Sequence, residues 1–153
     1  MSRALSVEVL RRGRTRTPAA TEIRAWAAAA LGRRARGGEL AVRIVGAAES
    51  RRLNAHYRGR DAPTNVLSFP PARQPRSGDE RRPLGDLVLC APVVRAEARG
   101  RGKRVRAHWA HLIVHGALHL IGYDHEHSRD ARRMERREVA VMRRLGFANP
   151  YRS

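Results

Sequence analysis

The segment "HGALHLIGYDHEH", residues 115–127, spaces three imidazoles as His115, His119 and His125 around an apolar run interrupted by Gly122. Residues four apart lie on one face of a helix, so His115 and His119 point the same way one turn apart and can share a metal ion. Gly122 can adopt a left-handed conformation, end the helix and turn the chain back, so that His125 reaches the same ion. Three imidazoles with an open fourth position are the arrangement of catalytic zinc, whereas structural zinc usually has four protein ligands rich in cysteine. Imidazole also suits zinc, nickel or copper better than magnesium or calcium.

The remaining histidines fit the same ion less well. His111 lies one turn before His115, but its span to His119 is about 12 Å along the axis, so it could at most replace one ligand. His108 and His127 read as surface or supporting groups. Written as His-x-x-x-His-x-x-Gly-x-x-His, the segment coincides with the metzincin peptidase pattern, which makes a zincin-like scaffold and a peptidase the natural rival. In those enzymes the residue after the first histidine is the glutamate that serves as general base. Here it is Gly116. A glycine moves no proton, and alanine or leucine is expected to pack there equally well, so the reading is of a peptidase scaffold that lacks its base.

The elements that must position these residues follow in order. "LSVEVL", residues 5–10, alternates like a strand, and "TPAATEIRAWAAAALGRR" reads as a helix with Thr17 as N-cap and Pro18 at its first position. "ELAVRIVG" from Glu39 is a second strand. "AESRRLNAHYRG" is a short helix stopped by Gly59, with Leu53 and Tyr57 on one face. "NVLSFP" is a third strand, "PARQPRSGDERRP" a polar loop and "LGDLVLCA" a fourth strand. Helices follow over residues 92–99, 104–121 and 128–145. The expected fold is therefore α+β (mixed α/β), zincin-like, with a small mixed four-stranded sheet packed with helices and the metal-binding helix in the C-terminal half. Residues 1–153 read as a single domain, of ordinary size for a core that needs no metal staple.

Composition narrows the class of partner. Lys and Arg total 32 against 14 Asp and Glu, a net charge of +18, which favours polyanions and makes binding salt-dependent. Lys103 is the sole lysine, and an arginine- and alanine-rich chain is also what GC-rich coding produces. The lone cysteine, Cys90, sits in "LVLCAP" and reads as a small buried hydrophobe. No stretch resembles a signal peptide or approaches the roughly 20 apolar residues of a membrane span, so a soluble, cytoplasmic protein without a membrane partner is expected.

Three motifs taken together, "HGALHLIGYDH", "LNAHYRGRDAPTNVLSFP" and "LGDLVLC", closely resemble the YbeY family, bacterial rRNA maturation factors regarded as single-strand-specific metal-dependent endoribonucleases. The resemblance runs in colinear order from about Glu39 to the C-terminal "YRS". It implies one Zn2+ per chain held by His115, His119 and His125, and a ribonuclease role for Arg58 in "YRGRD". It further implies action on the 3′ end of the 16S rRNA precursor and in ribosome quality control, with the small ribosomal subunit and its assembly factors as partners and no DNA. One departure is Asn65, where many members carry aspartate, so a part for this position in proton transfer is left open.

The chemistry agrees. Zinc lowers the pKa of bound water toward ~7 or polarises a phosphoryl oxygen. Arg58 offers a planar, permanently charged fork for two phosphate oxygens. Asp124, beside a ligand, and Asp86 in "LGDLV" are candidate catalytic groups that orient an imidazole, Asp86 alternatively as base; each suits turn-capping or a strand end equally well. Aromatics are 5% of the chain, so Tyr57, Phe69 and Tyr123 are the few stacking candidates, with Phe69 better suited to the core. Recognition of single-stranded RNA should then rest mainly on phosphate contacts. Two alternatives stand beside the endoribonuclease: another metal-dependent hydrolase, peptidases included, and a non-catalytic ribosome-assembly factor with a structural zinc.

Overall fold

The computed structural model describes residues 3–11, 16–72 and 80–152. Its elements are β1 (Ser6–Arg11), α1 (Ala20–Leu31), a 3-10 turn (Gly32–Ala35), β2 (Gly38–Val45), α2 (Ala47–Arg58), β3 (Val66–Phe69), β4 (Arg82–Cys90), α3 (Ala91–Gly100), α4 (Val105–Leu120) and α5 (Ser128–Arg144). The strands form one sheet in the order β1-β2-β4-β3, with β1, β2 and β4 parallel and β3 antiparallel at the edge. This is the mixed four-stranded sheet expected. The polar Pro/Arg loop of the sequence reading falls partly on residues 73–79, outside the described residues.

The two faces of the sheet carry different loads. Leu40, Val42 and Ile44 alternate along β2 and join Leu84, Leu87 and Leu89 of β4 in the main core, against α1 and α4. A smaller cluster of Val45, Leu67 and Val88 lies on the other face beneath Leu53 of α2. Because Leu84 and Leu87 both enter the main core although they are three apart, β4 needs an extra residue, and the register does shift there: Glu39 pairs with Pro83 but Leu40 with Gly85. Gly85 takes the irregular backbone, at φ +126°, where a Cβ would collide with the Phe69 carbonyl.

Helix α4 is the central element. Its residues from His108 to Leu118 are buried except His115, so it is apolar nearly all round, as a helix enclosed by others must be. Burying Ile113, Val114 and Leu118 contributes about 1.5–3 kcal/mol each. By contrast α5 is amphipathic, with Met134, Glu138, Val141 and Met142 inward and arginines outward.

One helix start is corrected. Helix α1 begins at Ala20 with Ala19 as N-cap, two residues after the expected Thr17, because Glu22 Oε1 accepts the Ala19 N–H at 3.1 Å and the Thr17 hydroxyl is taken by Arg11. Cys90 is buried and unpaired, as expected. No described helix is long and apolar enough to cross a membrane.

Candidate metal centre

Helix α4 ends where the sequence pattern requires. The Ile121 and Tyr123 N–H groups both return to the Leu118 carbonyl and the Gly122 N–H to that of His119, with Gly122 at φ +103°. The turn swings His125 back over the last turn of the helix. Ring centroids are then 4.7 Å apart for His115 and His119, 4.8 Å for His119 and His125, and 5.6 Å for His115 and His125. One nitrogen from each ring lies within 4.8 Å of the other two. A tetrahedral ion with bonds of about 2.0–2.1 Å needs ligand atoms about 3.3 Å apart, so small side-chain adjustments close the set around one ion. His115 and His119 are half-buried and His125 is exposed, which leaves the outer side open. Burial first, then the neighbouring His115 and His125 rings, lower the His119 pKa to about 4, so its imidazole is neutral and its lone pair free for a metal at ordinary pH. The residues therefore fit a divalent cation bound by imidazole.

Asp124 holds the turn. Its Oδ1 accepts the backbone N–H of His125 at 2.6 Å and of Glu126 at 3.1 Å, and no imidazole donates to it among the described residues. The orienting role expected of it is thus carried out on the backbone that presents His125. Asp86 corrects the expectation that it meets an imidazole. The extra residue in β4 sends Leu87 toward Gly116 and α4, and Asp86 to the opposite face. There it lines a cavity with Glu8, Arg43, Tyr57 and Phe69. Arg58 is exposed at the end of α2, without an ion-pair partner among the described residues. The structure thus brings the three histidines together and places Asp86 on the face of β4 away from α4, with Arg58 exposed at the end of α2.

Gly116 brings a second correction. Alanine there would not pack without a shift, because a Cβ would stand 2.8 Å from Leu87 Cδ2, 3.2 Å from Ser68 Oγ and 3.3 Å from Val66 Cγ2. The close approach is secured by the Ser68 hydroxyl, which donates to the Gly116 carbonyl at 3.1 Å. Glycine lets α4 seat closely on β3 and β4, and the longer peptidase glutamate would meet these side chains at this position.

The other histidines are more deeply used than their sequence context suggests. His108 is 2% exposed, not a surface group, and pairs through Nε2 with Glu97 at 2.8 Å. Burial lowers its pKa, with Glu97 pulling the other way. Glu97 also accepts from Asn65 Nδ2 at 3.1 Å, while Asn65 Oδ1 takes the Val66 N–H at 2.6 Å, so Asn65 ties β3 to α3. His111 is buried and bonds Glu138 Oε2 through Nε2 at 2.5 Å. Burial pushes the Glu138 carboxyl up, but the hydrogen bonds from His111 and His115 outweigh it and hold the pKa at about 2. Burial and the Glu138 charge push the Tyr151 hydroxyl well above its usual range. Sequence reasoning missed Glu138. Its signal was a carboxylate on the apolar stripe of α5, between Met134 and Val141, where a charge needs partners. Of the aromatic candidates, Tyr57 is 60% exposed and meets Phe69 edge-on at 5.0 Å, whereas Tyr123 is half-buried beneath Arg133.

Comparison with known proteins agrees with this geometry. The family model described as Endoribonuclease YbeY matches residues 13–146. Endoribonuclease YbeY of Alkalilimnicola ehrlichii is 51% identical over 153 residues, 97% of this chain and 90% of its own. The protein of the same name from Stenotrophomonas maltophilia is 53% identical over 137 residues, 88% of this chain and 84% of its own. The solution structure of TM1509 from Thermotoga maritima has the same fold, with a TM-score of 0.56 at 21% identity over 96% of this chain and 99% of that one. A match of that extent to the family model, joined to identities near one half over nearly the whole chain, makes this protein a member of the YbeY family.

Proposed function

We propose that this chain is a metal-dependent endoribonuclease of rRNA processing, with one zinc ion held by His115, His119 and His125. The observation that carries the reading is the convergence of three imidazoles, one of them exposed, in a chain whose relatives are named endoribonucleases. A zinc ion at this site supplies a Lewis acid for a phosphoryl oxygen and a nucleophile near neutral pH. The chain's own residues do the rest. Asp124 holds the turn that presents His125, and the buried α4 keeps His115 and His119 in register. Arg58, without an ion-pair partner among the described residues, offers its guanidinium to phosphate oxygens of the RNA, and the exposed Tyr57 beside it offers a ring face to an unpaired base. Asp86 has no part in proton transfer at the metal in this reading.

Single-stranded segments of the 16S rRNA precursor, at its 3′ end, are the proposed substrate, reached on the small ribosomal subunit in the cytoplasm together with its assembly factors. The charge of +18 supports a phosphate-dominated encounter. Two observations disfavour the rivals: a side chain at position 116 meets Leu87, Ser68 and Val66, which crowds out a peptidase base, and no fourth ligand of the kind structural zinc has joins the three histidines among the described residues. The test is incubation of zinc-loaded protein with labelled single-stranded RNA, the matching duplex and casein, beside His119→Ala. Cleavage of the single strand alone, absent from His119→Ala, is expected; zinc-dependent cleavage of casein would replace this reading with the peptidase one.

A further inference from the structure

A carboxylate that is 1% exposed on the apolar stripe of a helix needs several hydrogen-bond donors to be tolerated. Glu138 has three. His111 Nε2 stands 2.5 Å and His115 Nδ1 3.3 Å from its Oε2, and the Tyr151 hydroxyl donates to the carboxylate with its oxygen 2.8 and 2.9 Å from Oε1 and Oε2. Tyr151 belongs to the tail that follows α5, held there by Asn149 Oδ1 on the Tyr151 N–H at 2.8 Å and by Lys103 on the Pro150 carbonyl. His111, His115 and Glu138 are thus close enough to suggest a second metal site. The distances argue otherwise. Two ligands on one tetrahedral ion stand about 3.3 Å apart, whereas a separation of 2.5 Å between Nε2 and Oε2 is that of a short charge-assisted hydrogen bond. The Tyr151 hydroxyl shares its one proton between the two carboxylate oxygens. These distances are those of a hydrogen-bonded carboxylate.

We propose that Glu138 is the positioning residue of the metal centre: clamped by His111 and Tyr151, its carboxylate accepts the Nδ1–H of His115 and thereby fixes Nε2 as the metal-binding nitrogen. The inference rests on the metal reading above and adds to it the side of the ring that binds. A carboxylate behind a ligating imidazole fixes its tautomer and orientation and makes it a stronger donor, which is worth about 10–100-fold in metal affinity. It also links the centre to the C-terminal tail, because the Tyr151 hydroxyl donates to the same carboxylate.

Two measurements test this. In the zinc-loaded wild-type protein, long-range proton–nitrogen correlation NMR should find His115 protonated at Nδ1 and zinc-bound at Nε2. Glu138→Gln keeps the side-chain volume and removes the charge; chelator competition should find its zinc affinity lowered about 10–100-fold. Glu135→Gln, on the exposed face of the same helix, should leave that affinity unchanged. Zinc on Nδ1 of His115, or a folded Glu138→Gln protein with wild-type zinc affinity, would overturn the proposal. If Glu138→Gln does not fold, the wild-type tautomer decides alone. A wild-type protein that takes up no zinc removes this proposal and the metal reading together, whereas one that binds zinc through Nε2 yet cuts no RNA contradicts only the proposed activity.

Discussion

Two clusters of three side chains share His115, and they differ in what completes them. His115, His119 and His125 contain no acid, sit at a helix end and include an exposed ring; His111, His115 and Glu138 are closed off, with a carboxylate already satisfied by Tyr151. The first is short of an electrophile and the second is not. Proximity of ligand-type residues therefore does not by itself mark a metal site. What decides is whether lone pairs are left over once the hydrogen bonds have been assigned.

The largest expected effects break the first cluster while sparing the second. His119→Ala and His125→Ala should each lose the metal, read by elemental analysis, and drop RNA cleavage to background, while the fold survives because the core is complete without an ion. His111→Gln should retain about one zinc per chain, since His111 is not one of the three converging ligands and meets the centre through Glu138 and the edge of the His115 ring. Full zinc occupancy in His125→Ala would show that the ligand set is wrong.

Arg58→Ala comes next. A guanidinium that stabilises growing phosphate charge should cost about 10²-fold in single-turnover cleavage at saturating protein, comparable with loss of an oxyanion donor. Zinc content should not change, because Arg58 is not among the side chains that converge on one ion. Lysine should rescue only in part, lacking the bidentate fork. Equal rates for wild type and Arg58→Ala would reduce this residue to one more basic group on a basic surface.

Smaller effects fall on stability. Gly116→Ala should destabilise by about 1 kcal/mol net, an overpacking cost of about 1–3 outweighing a helix-propensity gain of about 1. Denaturant midpoints measure it, and a stabilised variant would mean that Leu87 and Ser68 give way easily. His108 should contribute a pH dependence. Its folded pKa lies below the unfolded value of 6.5, so its stabilising share is present above that pH and is lost as the pH falls. His108→Gln should flatten the wild-type decline in stability between about pH 7 and pH 5.

What could be read from the sequence was local. The histidine spacing, the glycine at the bend and the helix bounds around α4 and α5 depend on contacts within a few residues, and they emerge nearly as expected. Asp86 was not legible because its face depends on one extra residue in β4, and a shift of one residue reverses every side chain that follows. Gly116 looked like the loss of a base because its reason lies in Val66, Ser68 and Leu87, distant in sequence. Glu138 and Tyr151 meet His111 across two elements, and only the misplaced charge on an apolar stripe hinted at the first of them.

The central claim is that an ion on His115, His119 and His125 cuts single-stranded RNA. Single-turnover cleavage of a labelled single-stranded RNA by metal-stripped protein, before and after one equivalent of zinc is restored, tests it most directly, with His119→Ala treated in the same way. No cleavage is expected when stripped, with recovery in the wild type upon zinc addition and none in His119→Ala. Cleavage by the stripped protein, or by His119→Ala at the wild-type rate, would contradict it.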